Sequence, residues 1–349
     1  ETVPQAATEQ RWQYRILQTD ALYVRGELFA EPEALREAVR LYRESIFPLA
    51  PRSSAPGRWG PTQNNLGLAL KVLGERGDST ALRGAVTAFR AALEVLTRTA
   101  APAEWSSVQN NLGAALLVLG QRGDDAALIG AEEAFRRALD VRTRDAAPAD
   151  WAATQNNLGL ALKERGERGD AAALRQAAAA FRAALQVRTR DAAPADWANT
   201  QSNLGSTLYL LGLRGDRAAR REAVAAFRAA LEVHTRDIAP VHWAMVQNNL
   251  GGALSLLGAR ENVAMLDEAI VVLSAALEVR TRGAMPAAWA ETQFNSALAH
   301  RFYVLRGGRS HLPAAREAAR AALSGFEEVG NTYKATEARR LIADLERRR

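Results

Sequence analysis

Histidine, cysteine and paired carboxylates would be the first places to look for chemistry, and this chain offers little of any. Its four histidines, His234, His242, His300 and His311, share no metal-ligand spacing. The absence of cysteine excludes disulfides, thiolate zinc sites and cysteine nucleophiles. No phosphate loop, nucleophile elbow or Ser/His/Asp arrangement is present. Asp124-Asp125 reads as a helix start before it reads as a carboxylate dyad. The chain is therefore expected to be a non-enzyme, with no metal and no cofactor. Arg-Gly-Asp occurs four times, at residues 76–78, 122–124, 168–170 and 214–216, and matches an adhesion tripeptide. A Gly that ends one helix and an Asp that caps the next explain it without adhesion, and unit five carries Glu261-Asn262 instead.

The elements that would position any site come from an internal repeat. Trp59, Trp105, Trp151, Trp197, Trp243 and Trp289 stand 46 residues apart without one insertion or deletion. Gln63, Gln109, Gln155, Gln201, Gln247 and Gln293 keep the same spacing. So does the pattern Ala-x3-Phe-x2-Ala at Ala85/Phe89/Ala92, Ala131/Phe135/Ala138, Ala177/Phe181/Ala184 and Ala223/Phe227/Ala230. Each unit reads as two helices. In the third, Pro148 suits the first helical position, and Gly166 and Gly169 are expected as left-handed caps. Asp170 is the expected N-cap of a second helix over roughly 171–190. Leu174, Ala177, Ala178, Phe181, Ala184 and Leu185 form the apolar stripe of that helix. Gly67, Gly113, Gly159, Gly205 and Gly251 sit mid-helix, where Gly costs roughly 1 kcal/mol against Ala. Repeating that cost implies a close helix–helix approach, with the Ala and Phe of the partner helix as the approaching surface. A large ring repeated at each helix start, the Trp row, suits a structural wedge between neighbouring pairs.

These motifs resemble the tetratricopeptide repeat, in which Gln-Asn-Asn-Leu-Gly-x-Ala-Leu stands for the first half of the signature and Ala177-x3-Phe181-x2-Ala184 for the second. The usual period of that family is about 34, so the turn and helix ends are lengthened here. The Asn-Asn-Leu pattern and long period look closest to the kinesin-light-chain-like subclass. They look equally like long bacterial arrays that accompany protease, nucleotide-binding or signalling domains. The resemblance covers about residues 55–325 and implies an all-α, right-handed α-solenoid of tetratricopeptide-like helix pairs with a C-terminal capping helix. The ends depart from the pattern: 9–50 reads as a degenerate first repeat, 55–325 as six repeats, and 331–349 as the polar capping helix of a single repeat domain, 1–349.

The resemblance further implies that the first helix of each pair lines a concave groove that binds a peptide. Carried over by position, the amides that would hold the peptide main chain are Asn65, Asn111, Asn157, Asn203, Asn249 and Asn295. An amide both donates and accepts, as an extended backbone requires. The alternative is that these amides bridge adjacent repeats. Asn64, Asn110, Asn156 and Asn248, with Ser202 and Phe294 in the same row, would border the groove. One turn on, Lys71, Leu117, Lys163, Tyr209, Ser255 and Arg301 vary between units, as specificity residues would. Lys71, Lys163 and Arg301 could pair with acidic groups of a ligand, or simply be solvated.

Composition bounds the partners. The net charge is +6, but residues 301–349 carry eleven basic against six acidic residues, which leaves about +1 for the body. A duplex-binding face would need a concentrated basic stripe, so nucleic acid is not the expected partner. No run of eighteen apolar residues predicts a membrane span. The start, Glu1-Thr2-Val3-Pro4-Gln5, lacks Met and a signal pattern, as in a processed chain or one cut from something longer. The expected function is a cytoplasmic scaffold for a protein or peptide ligand. The competing reading is a regulatory or self-associating array of a larger signalling or protease protein.

Overall fold

A computed structural model describes residues 5–348. Residues 1–4 and Arg349, the last residue of the basic tail, lie outside the described residues. The described chain is helical: α1 (Gln5–Leu28), α2 (Pro32–Leu41), α3 (Pro56–Glu75), α4 (Ser79–Leu93), α5 (Pro102–Gln121), α6 (Asp125–Leu139), α7 (Pro148–Glu167), α8 (Ala171–Leu185), α9 (Pro194–Leu213), α10 (Arg217–Leu231), α11 (Pro240–Arg260), α12 (Ala264–Leu277), α13 (Pro286–Leu305), α14 (Leu312–Glu328) and α15 (Thr332–Glu346). It divides into two compact units, 1–173 and 174–349, with the division in the first turn of α8.

In the first unit α3 packs on α4 and α5, and α5 on α6 and α7; in the second, α9 packs on α10 and α11, and α11 on α12 and α13. In these pairs the first helix thus touches both its own second helix and the next first helix within the same unit. Proline opens each first helix from α3 to α13, where its missing N–H is not needed and its fixed φ is already helical. The chain reverses at Gly77, Gly123, Gly169 and Gly215, all at φ between +105° and +118°. The following aspartate caps the next helix: Asp78 accepts from Thr80 and Ala81, Asp124 from Ala127, Asp170 from Ala172 and Ala173, and Asp216 from Ala219. Two helix-end expectations need correction. Gly166 lies buried within α7 rather than ending it, and α8 stops at Leu185 instead of near 190. The residues just beyond it turn inward, as shown below for Arg188.

The arginine of each Arg-Gly-Asp also has a structural task. Arg76 donates to the Gly26 carbonyl, Arg122 to Gly74 and Arg168 to Gly120. Those carbonyls belong to the last turns of α1, α3 and α5, whose C=O groups lack intrahelical partners. The mid-helix glycines do mark close approach. A Cβ built on Gly67, Gly113 or Gly205 would stand 2.6–2.8 Å from a ring carbon of Phe89, Phe135 or Phe227, and one on Gly251 would stand 2.4 Å from Leu273. At the end of the second unit, α15 places Leu341 and Leu345 on Ala297, Ala315 and Ala319, and Ala335 and Ala338 on Ala290 and Phe326. It therefore closes the last pair.

Candidate binding face

The asparagine rows lie on the first helices, half-buried except for the buried Asn156 and Asn248, and bond to each other. Asn111 Nδ2 donates to Asn64 Oδ1 (3.1 Å), Asn157 to Asn110 (3.2 Å) and Asn295 to Asn248 (3.0 Å). Asn64 and Asn248 each donate in turn to the neighbouring Asn65 and Asn249 (3.3 and 3.2 Å). Asn110 accepts a second bond from Thr154 Oγ1 (3.3 Å). The Asn111–Asn64, Asn157–Asn110, Asn295–Asn248 and Thr154–Asn110 bonds each join one first helix to the next, so these amides build inter-repeat bridges. Asn203 and Asn156 are also engaged by partners within the chain.

The variable row is equally occupied. Lys71 donates to Glu75 (2.8 Å) and Lys163 to Glu167 (2.6 Å), both one helical turn on, and Arg301 reaches Asp344 of α15 (2.7 Å). Tyr209 lies against Gly252 of α11, and burial pushes its phenol pKa up. Leu117 is buried, and Ser255 donates to the Gly251 carbonyl (2.7 Å). The Trp rings are half-buried beneath arginines: Arg52 over Trp59, Arg98 over Trp105, Arg236 over Trp243 and Arg282 over Trp289, at 5.3–5.9 Å. That cation–π contact supports the structural reading.

A further row escaped the sequence reading: Leu96, Arg142, Arg188, His234, Arg280 and Phe326, again 46 apart. Leu96, Arg142, His234 and Arg280 turn inward beside the first helices of their own unit, and Arg188 turns onto α9. Arg142 is 8% exposed and donates to Ser106 (3.4 Å), Ser107 (2.9 Å) and Thr154 (3.1 Å). Arg188 donates to Thr200 (3.1 Å), with Asp196 at 3.7 Å. Arg280 donates to Thr292 (3.2 Å), with Glu291 at 3.9 Å. Burial pushes all three guanidiniums below their ordinary pKa, against the weaker pull of Asp150, Asp196 and Glu291. His234 bonds Asn199 (3.0 Å) and stacks on His242. The signal was readable, because the row 12 residues on changes with it: Thr154, Thr200 and Thr292 follow the arginines, while Val108 follows Leu96 and Val246 follows His234.

Around Leu96 all three partners of the buried arginine are replaced together. Where Arg142 meets Ser106, Ser107 and Thr154, Leu96 has Gly60, Pro61 and Val108. The shorter leucine leaves a niche of about 300 Å³ between α3 and α5, lined by Pro61, Asn64, Leu96, Ala103, Glu104, Ser107 and Val108. Glu104, at its rim, makes no ion pair among the described residues.

Among the described residues no group of three His, Cys, Asp or Glu could hold a metal, and no helix is long and apolar enough to cross a membrane. No protein-family model and no curated protein matches the sequence. Solved structures do match in fold. The apo form of RapI superposes with a TM-score of 0.56 at 13% identity, covering 99% of this chain and 88% of that one. The apo form of the quorum sensor NprR from B. thuringiensis gives 0.51 at 15% identity, covering 95% and 86%. With its consecutive helix pairs, Gly–Phe contacts and these neighbours, the chain has a tetratricopeptide-like helical-repeat fold.

Proposed function

We propose that the chain is a scaffold whose first-helix face holds an extended segment of a partner protein or peptide, and that it is not an enzyme. The observation that carries this is the niche between α3 and α5. It sits beside the Asn64–Asn111 bridge and has an apolar floor of Leu96 and Val108, suited to one aliphatic or aromatic anchor of a peptide. The free carboxylate of Glu104 favours a basic residue next to that anchor. The asparagines keep spare lone pairs and N–H groups beyond the bonds they make, so a peptide main chain can still meet them.

The test uses the neighbouring seam as a template. The variant Gly60→Ser/Pro61→Ser/Leu96→Arg/Val108→Thr grafts the Arg142 environment onto the niche and fills it with a side chain the fold already accommodates. Both proteins are presented to an array of immobilised 12-residue peptides. Wild type is expected to retain peptides that pair an apolar residue with Lys or Arg, and the graft to lose them. Retention of no peptide by wild type, or of the same set by both, would remove the basis of this function.

A second reading, self-association, is favoured by α1. Tyr14, Leu17, Val24 and Leu28 are 44–70% exposed at heptad spacing along one face. A sedimentation-equilibrium mass equal to one chain across micromolar concentrations would rule it out.

A further inference from the structure

Unit five breaks the Arg-Gly-Asp turn, and the break releases an arginine from its structural task. Without the left-handed glycine, α11 runs on through Arg260, and Glu261 follows it at φ −124°. In the earlier turns the arginine donates to the end of the preceding first helix, as Arg122 does to Gly74. Here that carbonyl, Gly212 O, is taken by Arg220 Nε at 3.1 Å instead. Arg220 occupies a position that is Leu82, Leu128 and Leu266 in other units, and it is 8% exposed. Its Nη1 lies 3.7 Å from Glu261, whose carboxylate is also gripped by Arg221 at 2.6 and 3.0 Å.

The result is a cleft of about 590 Å³ lined by Gly215, Arg217, Arg220, Arg221, Arg260 and Glu261. Four guanidiniums face one carboxylate, and that carboxylate is already shared by two of them. The nearby Asp216 side chain is spent on the α10 cap. Arg217 and Arg260 are exposed and make no hydrogen bond or ion pair among the described residues. Like charges gathered in one concavity repel each other and focus a positive potential into it. A fork of N–H donors fits a tetrahedral oxyanion in pairs.

We propose that this cleft is an anion site for a phosphate group, a phosphate monoester or a pyrophosphate. Arg217 and Arg260 donate to it, and the pair Arg220–Glu261 fixes the floor. Because the site belongs to α10, α11 and their loops, it does not depend on the peptide-binding reading.

Isothermal titration of the full chain with sodium pyrophosphate, and with acetyl-Gly-phosphoserine-Gly-amide against its unphosphorylated form, tests the proposal. Saturable binding at one equivalent is expected. The variant Arg217→Gln/Arg260→Gln should weaken it roughly tenfold or more, the scale of a lost charge-assisted bond. Neither arginine supports the fold, so the circular dichroism spectrum should be unchanged. The control Arg83→Gln/Arg90→Gln, which removes two exposed, unpaired arginines elsewhere, should bind as wild type does. Tighter binding of pyrophosphate assigns the site to a free polyphosphate anion, and tighter binding of the phosphopeptide assigns it to a phosphorylated chain. The proposal is overturned if neither probe binds, if the double variant binds equally, or if the control loses as much.

Discussion

Gly113→Ala sets two known effects against each other, and the structure decides which is larger. Gly113 lies in the interior of α5, where alanine gains roughly 1 kcal/mol of helix propensity. The added methyl, however, would stand 2.7, 2.8 and 2.9 Å from three ring carbons of Phe135, whereas carbon–carbon contacts are comfortable at about 3.5–4.0 Å. Phe135 is wholly buried, so the ring cannot swing away, and α5 must separate from α6 by most of an ångström. Overpacking of this kind costs about 1–3 kcal/mol. Three simultaneous collisions with a rigid ring place it near the top, and the net loss should be about 1–2 kcal/mol. Gly84→Ala is the contrasting case. Its methyl would meet one flexible leucine terminus, Leu70 Cδ1, at 3.3 Å, so it should be neutral or slightly stabilising. Urea unfolding followed by circular dichroism measures both. Native-state hydrogen exchange should localise the Gly113→Ala damage to α5, α6 and adjoining helices, because repeat arrays are stabilised by near-neighbour terms. A Gly113→Ala protein as stable as wild type would refute the close-approach argument.

Thr154→Val removes an acceptor from the buried Arg142 guanidinium and should cost about 1.5–3 kcal/mol in urea unfolding. Arg142→Leu/Thr154→Val copies the Leu96/Val108 pair and should cost less than Thr154→Val alone; simple additivity would sink the coupling. Burial, and secondarily His311, hold the His300 imidazole below its ordinary pKa of 6.5, with the two Nδ1 atoms 2.9 Å apart. Unfolding then takes up a proton in acid, so this contribution is complete above about pH 6.5 and is lost as pH falls through the lowered native value. The melting temperature should drop between pH 7.5 and 5, and drop less in His300→Gln; an unchanged slope in that variant would show that His300 is not responsible.

The fold is most legible in the sequence where one unit explains itself. The Gly–Phe approach, the proline starts and the Gly-Asp turns are all local devices, repeated with the same spacing because each unit needs them. It is least legible where two units meet. Asn64 and Asn111 are 47 residues apart, one more than the period, so the bridge joins two different rows. A row of amides that binds a peptide and two rows that bind each other leave the same trace in a sequence. Only the rotation of α3 against α5 distinguishes them. The ion pairs of Lys71 and Lys163 were within reach, since a glutamate follows each by one turn. The inward row at Leu96 and Arg142 left only the linked change 12 residues on as its trace. It lies beyond the ends of α4 and α6, in segments whose direction no helical periodicity predicts.

Departures from the repeat come in coupled sets, and what each set leaves over tells structure from function. At the fourth seam of the inward row, His234, His242, Val246 and Asn199 replace an Arg–Thr arrangement, yet the set is self-satisfied: the rings stack at 5.2 Å and Asn199 completes the bonding. Nothing remains for a ligand there. At Leu96 the replaced partners leave an open apolar niche beside an unpaired carboxylate. At Glu261 they leave two guanidiniums with no partner in the described chain. An unfilled niche and guanidiniums crowded into one concavity both cost free energy, so a copied unit that served stability alone would have no reason to depart toward either. Those two places, rather than the repeated rows, are where binding chemistry should be sought.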